Sequence, residues 1–310
     1  MGGVIVLGYH RIADDDDPFG LAVSVPRFVS QIEILARKAH PIPLSDAARA
    51  LEHGTVPRRA VVITFDDGYR DTVEEALPVI QRAGVPATMF VSTGCLGREF
   101  WWHELARLIM DAEVLPRKLE LELRGGRHVW TFEAERMESD RLRRAARRSA
   151  LRSIGEKLQC VTALEREEAL RSLRRWAAPH EGDGVRTSRA LTGSELRQLA
   201  GSPGIEIGAH TVSHPALPAL SREHQREEVE RSRIDLEAIT GKPVTSFSYP
   251  HGAYSAETVS VVKEAGFTTA CCSEPDVVTR RSNPLLLPRL WPSDQGAGPF
   301  SGWLESWLYG

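Results

Sequence analysis

The sequence lacks most of what marks a specialised class of protein. It has no excess of positive charge: 39 Lys and Arg face 42 Asp and Glu, for a net charge of −3. That excludes bulk electrostatic binding to nucleic acid or to anionic membranes. Only four cysteines occur in 310 residues, two of them adjacent (Cys271-Cys272), with no C-x-x-C or zinc-ribbon spacing. This fits reduced thiols in a cytosolic protein better than a disulfide frame. No apolar run approaches the roughly 20 residues of a membrane span. The start, Met1-Gly2-Gly3 before Val4–Leu7, has no basic n-region and too short an apolar stretch for a signal peptide, so a cytoplasmic protein is expected. Internal repeats and low-complexity segments are absent too. What remains, 42% hydrophobic and 26% charged, is ordinary for a globular enzyme large enough to bury a core unaided.

Short apolar runs alternate with helical patterns. Val4–Leu7 reads as a buried strand and Ala87–Val91 as another, while Ala60–Phe65, apolar throughout and rich in β-branched residues, predicts a strand buried on both faces, as in a parallel sheet. Helices are expected from Pro26, over 45–52 and over 72–82, giving a βαβ rhythm. The rhythm breaks near Arg98. From there to about 190 the chain reads as a mostly helical, polar insertion with one hairpin turning at Gly125-Gly126. Its stretch 136–152 carries seven arginines against two acids, which predicts a solvated helix face or a contact to substrate phosphates. The rhythm resumes at Thr192, which with Glu195 forms a capping-box pattern. Strands over 205–209, 246–249, 267–271 and 285–287 follow, with helices over 221–240 and 255–265. The pattern predicts a barrel of about seven parallel strands, residues 1–97 and 192–310, interrupted by an insertion over 98–191.

Polar groups follow four of these strands: His10, Asp66-Asp67, His210 with His214, and Tyr249-Pro250-His251-Gly252. In parallel α/β folds the carboxyl ends of the strands share one face, which carries the site. Two adjacent carboxylates after an apolar strand are costly unless a cation binds one; the plain alternative is a helix cap or a turn. H-x-x-x-H alone is a weak signal. Two imidazoles and one carboxylate at neighbouring strand ends, however, make an open site suited to Zn²⁺. Trp101, Trp102 and Trp291 could stack on sugar rings or pack in the core.

Three segments carry a family resemblance. Thr64-Phe65-Asp66-Asp67-Gly68 resembles the first motif of the NodB-type polysaccharide deacetylases, carbohydrate esterase family 4, and His210-Thr211-Val212-Ser213-His214-Pro215 resembles the second. Phe247–Gly252 is similar to the third motif of one branch, and Tyr9-His10 to the opening of the permuted poly-N-acetylglucosamine deacetylases. The resemblance implies an α/β fold, a distorted (β/α)7 barrel, here with a helical insertion. It implies a hydrolase that removes the N-acetyl group from an acetamido sugar, free or carried on a nucleotide or lipid, using one divalent ion, Zn²⁺. It makes Asp66 the general base, His10 the general acid, and Asp67, His210 and His214 the metal ligands. Thr211 would hold the acetate or the metal-site geometry. The backbone N–H of His251, after Tyr249-Pro250, would hold the oxyanion. Two departures stand out. Ser248 replaces the arginine that usually orients the base, which turns attention to Arg289, and no Leu-x-His motif follows His251. A deformylase or other amidohydrolase on a carrier-linked sugar is the alternative reading, and a non-catalytic scaffold the third.

Overall fold

A computed structural model describes residues 3–15, 17–136, 139–177 and 188–309. The strands are Val4–Tyr9 (β1), Arg11–Ile12 (β2), Ala22–Val23 (β3), His40–Pro41 (β4), Ala60–Phe65 (β5), Ala87–Val91 (β6), Lys118–Leu123 (β7), Gly126–Thr131 (β8), Ile205–Ala209 (β9), Ser246–Ser248 (β10) and Thr269–Cys271 (β11). The helices are Val25–Lys38 (α1), Leu44–His53 (α2), Leu77–Ala83 (α3), Trp101–Met110 (α4), Asp140–Leu158 (α5), Ala163–Ala177 (α6), Gly193–Gly201 (α7), Arg222–Thr240 (α8), Ala256–Glu264 (α9) and Ala297–Tyr309 (α10).

The main sheet is parallel throughout, in the order β1-β5-β6-β9-β10-β11, with β4 paired to the start of β5. The strand expected over 285–287 does not form as such. Pro284 and Pro288 flank that stretch and have no N–H to donate. Instead Leu287 bridges Cys271 of β11 and Leu290 bridges Leu7 of β1, so residues 287–290 join the two edges of the sheet. The helix expected over 72–82 also differs: Thr72–Ala76 is a π-turn that passes into α3 beside Pro78.

Side chains along each strand alternate between two buried faces. Ile5, Leu7, Tyr9, Val61, Ile63, Phe65, Ala209 and Phe247 pack outward against the flanking helices. Val4, Val6, Ala60, Val62, Phe90, Cys271 and Leu287 pack inward, joined by Leu44 and Ala47 of α2. The inward set continues two residues at a time into the site: Gly8 and His10, Thr64 and Asp66, Gly208 and His210, Ser246 and Ser248, Arg289 and Trp291. The period of two therefore aims the chemistry-bearing residues at one point. The stretch 101–177 has a separate apolar core, built from α4, β7, α5 and α6 around Leu105, Ile109, Leu121, Ile154 and Leu173.

Candidate active site

Asp66 leaves β5 inside the barrel, 3% exposed. Arg289, fully buried, meets it with both prongs: Nη1 donates to Oδ1 and Nη2 to Oδ2, each at 2.7 Å. Ser248 Oγ accepts from Arg289 Nη2 at 2.9 Å and donates to Asp66 Oδ2 at 3.1 Å. The guanidinium is itself fixed by the Cys272 carbonyl and by Thr64 Oγ1. Its flat face lies 4.6 Å from the centre of a Trp291 ring. Burial works against ionisation of Asp66, but Arg289, then His210, overcome it and hold the carboxyl below its usual range.

Asp67 turns the other way, with φ 71°. Its Oδ1 lies 3.3 Å from His210 Nε2 and 3.1 Å from His214 Nε2. His210 Nδ1 is 2.7 Å from the Ser248 carbonyl, which can only accept, so that nitrogen carries a proton and in the neutral ring Nε2 is the one with a lone pair to offer. Asp67 Oδ1 is buried with no hydrogen-bond partner, and the ligating atoms of Asp67, His210 and His214 all lie within 4.8 Å of one another. A buried carboxylate oxygen left unpaired beside two imidazoles fits a cation between them. Asp67, Thr211, His214 and His251 are four of the five non-glycine residues with left-handed φ among the described residues. Each such residue costs of order 1–3 kcal/mol and persists only where its surroundings over-determine it.

The remaining residues singled out from the sequence fall around this centre. Thr211 Oγ1 donates to the His210 carbonyl and accepts the His214 N–H at 3.0 Å, so it builds the turn between the two histidines. Tyr249 is buried, and its hydroxyl donates to the Leu285 carbonyl. Pro250 opens a 3-10 turn in which His251 has φ 57°, its ring 4.5 Å from that of His214. His10 stacks on Trp291 at 4.9 Å. Gly8 permits this: a Cβ there would come within 2.5 Å of the indole.

A cavity of about 440 Å³ opens over Asp66, Asp67, His210 and His214. Trp101, Trp102, Leu105, Leu151 and Gly155 of α4 and α5 form its far wall, and Phe19 and Leu21 a side. Trp102 packs against His214 at 4.6 Å and donates its indole N–H to Tyr69 Oη, which bonds His103 Nε2. Of the arginines in 136–152, Arg147 is folded inward onto Glu135 and the Ala112 carbonyl, while Arg152 lines the cavity. Arg147 is therefore structural and unavailable to a phosphate. Met137 and Glu138 of that stretch lie outside the described residues. A larger cavity of about 1120 Å³, by the starts of β9, β10 and β11, touches none of the residues named above as candidates.

Sequence reasoning missed Glu228. From α8 its carboxylate accepts the N–H groups of Val212 and Ser213 and the Ser213 hydroxyl, at 2.6–2.9 Å. One Glu among several in a polar helix carries no sequence signal.

The family model for polysaccharide deacetylases matches residues 53–130 and 176–270. The chain belongs to that family. Among curated relatives is the "Putative polysaccharide deacetylase YxkH" of Bacillus subtilis (strain 168), 27% identical over 304 residues, 97% of this chain and 76% of the relative. The poly-beta-1,6-N-acetyl-D-glucosamine N-deacetylase of Staphylococcus aureus (strain MSSA476) is 29% identical over 109 residues, 31% of this chain and 38% of its own. Among solved structures, the deacetylase PplD of Streptococcus pyogenes in complex with acetate shares the fold with a TM-score of 0.64 at 16% identity, over 99% of each chain. Such a likeness in shape, with the parallel curled sheet, gives the (β/α)7 deacetylase fold. Arg289, His10 and residues 131–175 lie outside the matched family segments.

Proposed function

We propose that this protein is a metal-dependent N-deacetylase of an acetamido sugar, with one Zn²⁺ held by Asp67, His210 and His214. One observation carries the reading: the unpartnered Asp67 oxygen faces two imidazoles directly beside a carboxylate locked by Arg289. Bound there, Zn²⁺ would supply Lewis acidity and lower the pKa of water. Asp66 takes the proton from the attacking water at its carboxylate, held in place by Arg289 and Ser248. The His251 N–H steadies the carbonyl oxygen as negative charge grows on it. His10 hands a proton to the leaving nitrogen, and Trp291 fixes the His10 ring. The wall made by α4 and α5 restricts the cleft to a short or carrier-linked saccharide rather than the middle of a long chain.

The test is acetate release by Zn²⁺-loaded protein from N-acetylated monosaccharides, oligosaccharides, polymers and sugars linked to nucleotide or lipid. Acetate from at least one class is the expected result. Formate from an N-formyl sugar without acetate would move the reading to deformylation, and no release from any of them would overturn it.

A further inference from the structure

The loop that carries His210 and His214 is held from two sides, and one of those sides is the segment with its own core. Arg166 of α6 is 3% exposed. Its Nη2 donates to the Ser213 carbonyl at 2.5 Å and its guanidinium lies 4.9 Å from the centre of a Trp101 ring. Among the described residues no ion pair neutralises it. The Glu228 carboxylate attracts it without touching it. A buried cation with no carboxylate in direct contact is still costly, so its contacts must compensate for lost water, and the closest is a carbonyl one residue from His214. The Gln159 carbonyl, at the end of α5, adds a second tie by accepting the Ala216 N–H at 2.7 Å. From the barrel side Glu228 takes the Val212 and Ser213 N–H groups. The N–H groups of Thr93 and Gly94 bind the Thr211 and Val212 carbonyls. A Cβ at Gly94 would lie 2.8 Å from the Val212 oxygen, so the approach is close.

We propose that Arg166 is a positioning residue for the metal site: through the Ser213 carbonyl it holds His214 in its left-handed conformation, so a segment outside the barrel sets the barrel's affinity for metal. The proposal rests on the Zn²⁺ reading above but not on the substrate. His214 has φ 59°, and Thr211, three residues before it, φ 64°. Left to itself each relaxes to a commoner backbone conformation, which swings the imidazole away from Asp67. Glu228 anchors the N–H side of the loop, and Arg166 supplies a charged donor to the carbonyl side. Groups that orient metal ligands from behind typically contribute 10–100-fold in affinity.

The experiment compares full-length Arg166→Met and Arg166→Lys with the unaltered protein. Zn²⁺ affinity is measured by competition with a chromophoric chelator, and the visible absorption of the Co²⁺ form reports ligand geometry. Thermal unfolding of each metal-free protein reports the fold separately. Arg166→Met should bind Zn²⁺ about 10–100-fold more weakly and give an altered Co²⁺ spectrum while still unfolding cooperatively. Arg166→Lys, whose ammonium can still reach the Ser213 carbonyl, should recover part of both. Should the Met variant not fold, the Lys variant decides the matter: weakened binding with an altered spectrum supports the proposal. A folded variant with unchanged affinity and an unchanged spectrum overturns it. If the unaltered protein binds no Zn²⁺, the metal reading fails first and takes this proposal with it; normal binding there with no loss in the variants sinks this proposal alone.

Discussion

Asp66 depends on a partner 223 positions away. The guanidinium on Asp66 comes from Arg289, with Ser248 beside it, and on the reading proposed above it orients the base. Its removal has a definite sign. Arg289 is the main cause opposing burial at Asp66, so in Arg289→Ala burial dominates and the carboxyl rises. The acidic limb of the kcat/KM profile should then move to higher pH, and the folded state should lose about 3–5 kcal/mol, the usual cost of stranding one half of a buried pair. A pH–rate profile and urea unfolding check both; an unmoved limb would mean that Arg289 does not govern the base. Asp66→Asn should keep one Zn²⁺ per chain while kcat falls about 10²–10⁴-fold, read by elemental analysis alongside turnover. His10→Ala should slow an amide far more than an activated ester, because an ester's leaving group needs little protonation. Equal slowing of both would remove His10 as the acid.

At the level of elements, what was legible in the sequence was local. Apolar runs marked β1, β5 and β6, and the Thr192–Glu195 capping box has both of its bonds. Gly125 and Gly126, with φ 100° and 114°, turn the β7–β8 hairpin. Strand ends then gathered His10, Asp66, Asp67, His210 and His214 onto one face. What stayed hidden was non-local. Nothing near Pro284–Leu290 announces a stave made of two bridges, nothing near Glu228 or Arg166 announces a grip on the histidine loop, and the inward turn of Arg147 depends on Glu135. The α5 helix offers a test of its own. Gly155 lies inside it, and a Cβ there meets only Leu105, at 3.9 Å. Gly155→Ala should stabilise the protein by up to about 1 kcal/mol in urea unfolding. Gly155→Trp should narrow the cavity and raise KM more than it lowers kcat; an unchanged KM would mean that substrate does not reach α5.

On the scale of the whole molecule, two apolar cores meet over one cavity, and the second core supplies its far wall. A groove open at both ends gains subsites as the chain lengthens, whereas a walled cleft does not. The kcat/KM should therefore level off at short oligosaccharides, and a steady climb with polymer length in a kinetic series would contradict the wall. The four residues from 287 to 290 have a consequence in time as well as in space. They carry Arg289 and also complete the ring, so every residue up to 289 must emerge from the ribosome before Asp66 meets its guanidinium. A chain ended before residue 285 holds both carboxylates and both histidines yet lacks the guanidinium that, on the proposed reading, readies the base. Hydrolytic competence therefore arrives late and in one step, and a fragment ending before residue 285 should be silent rather than weakly active.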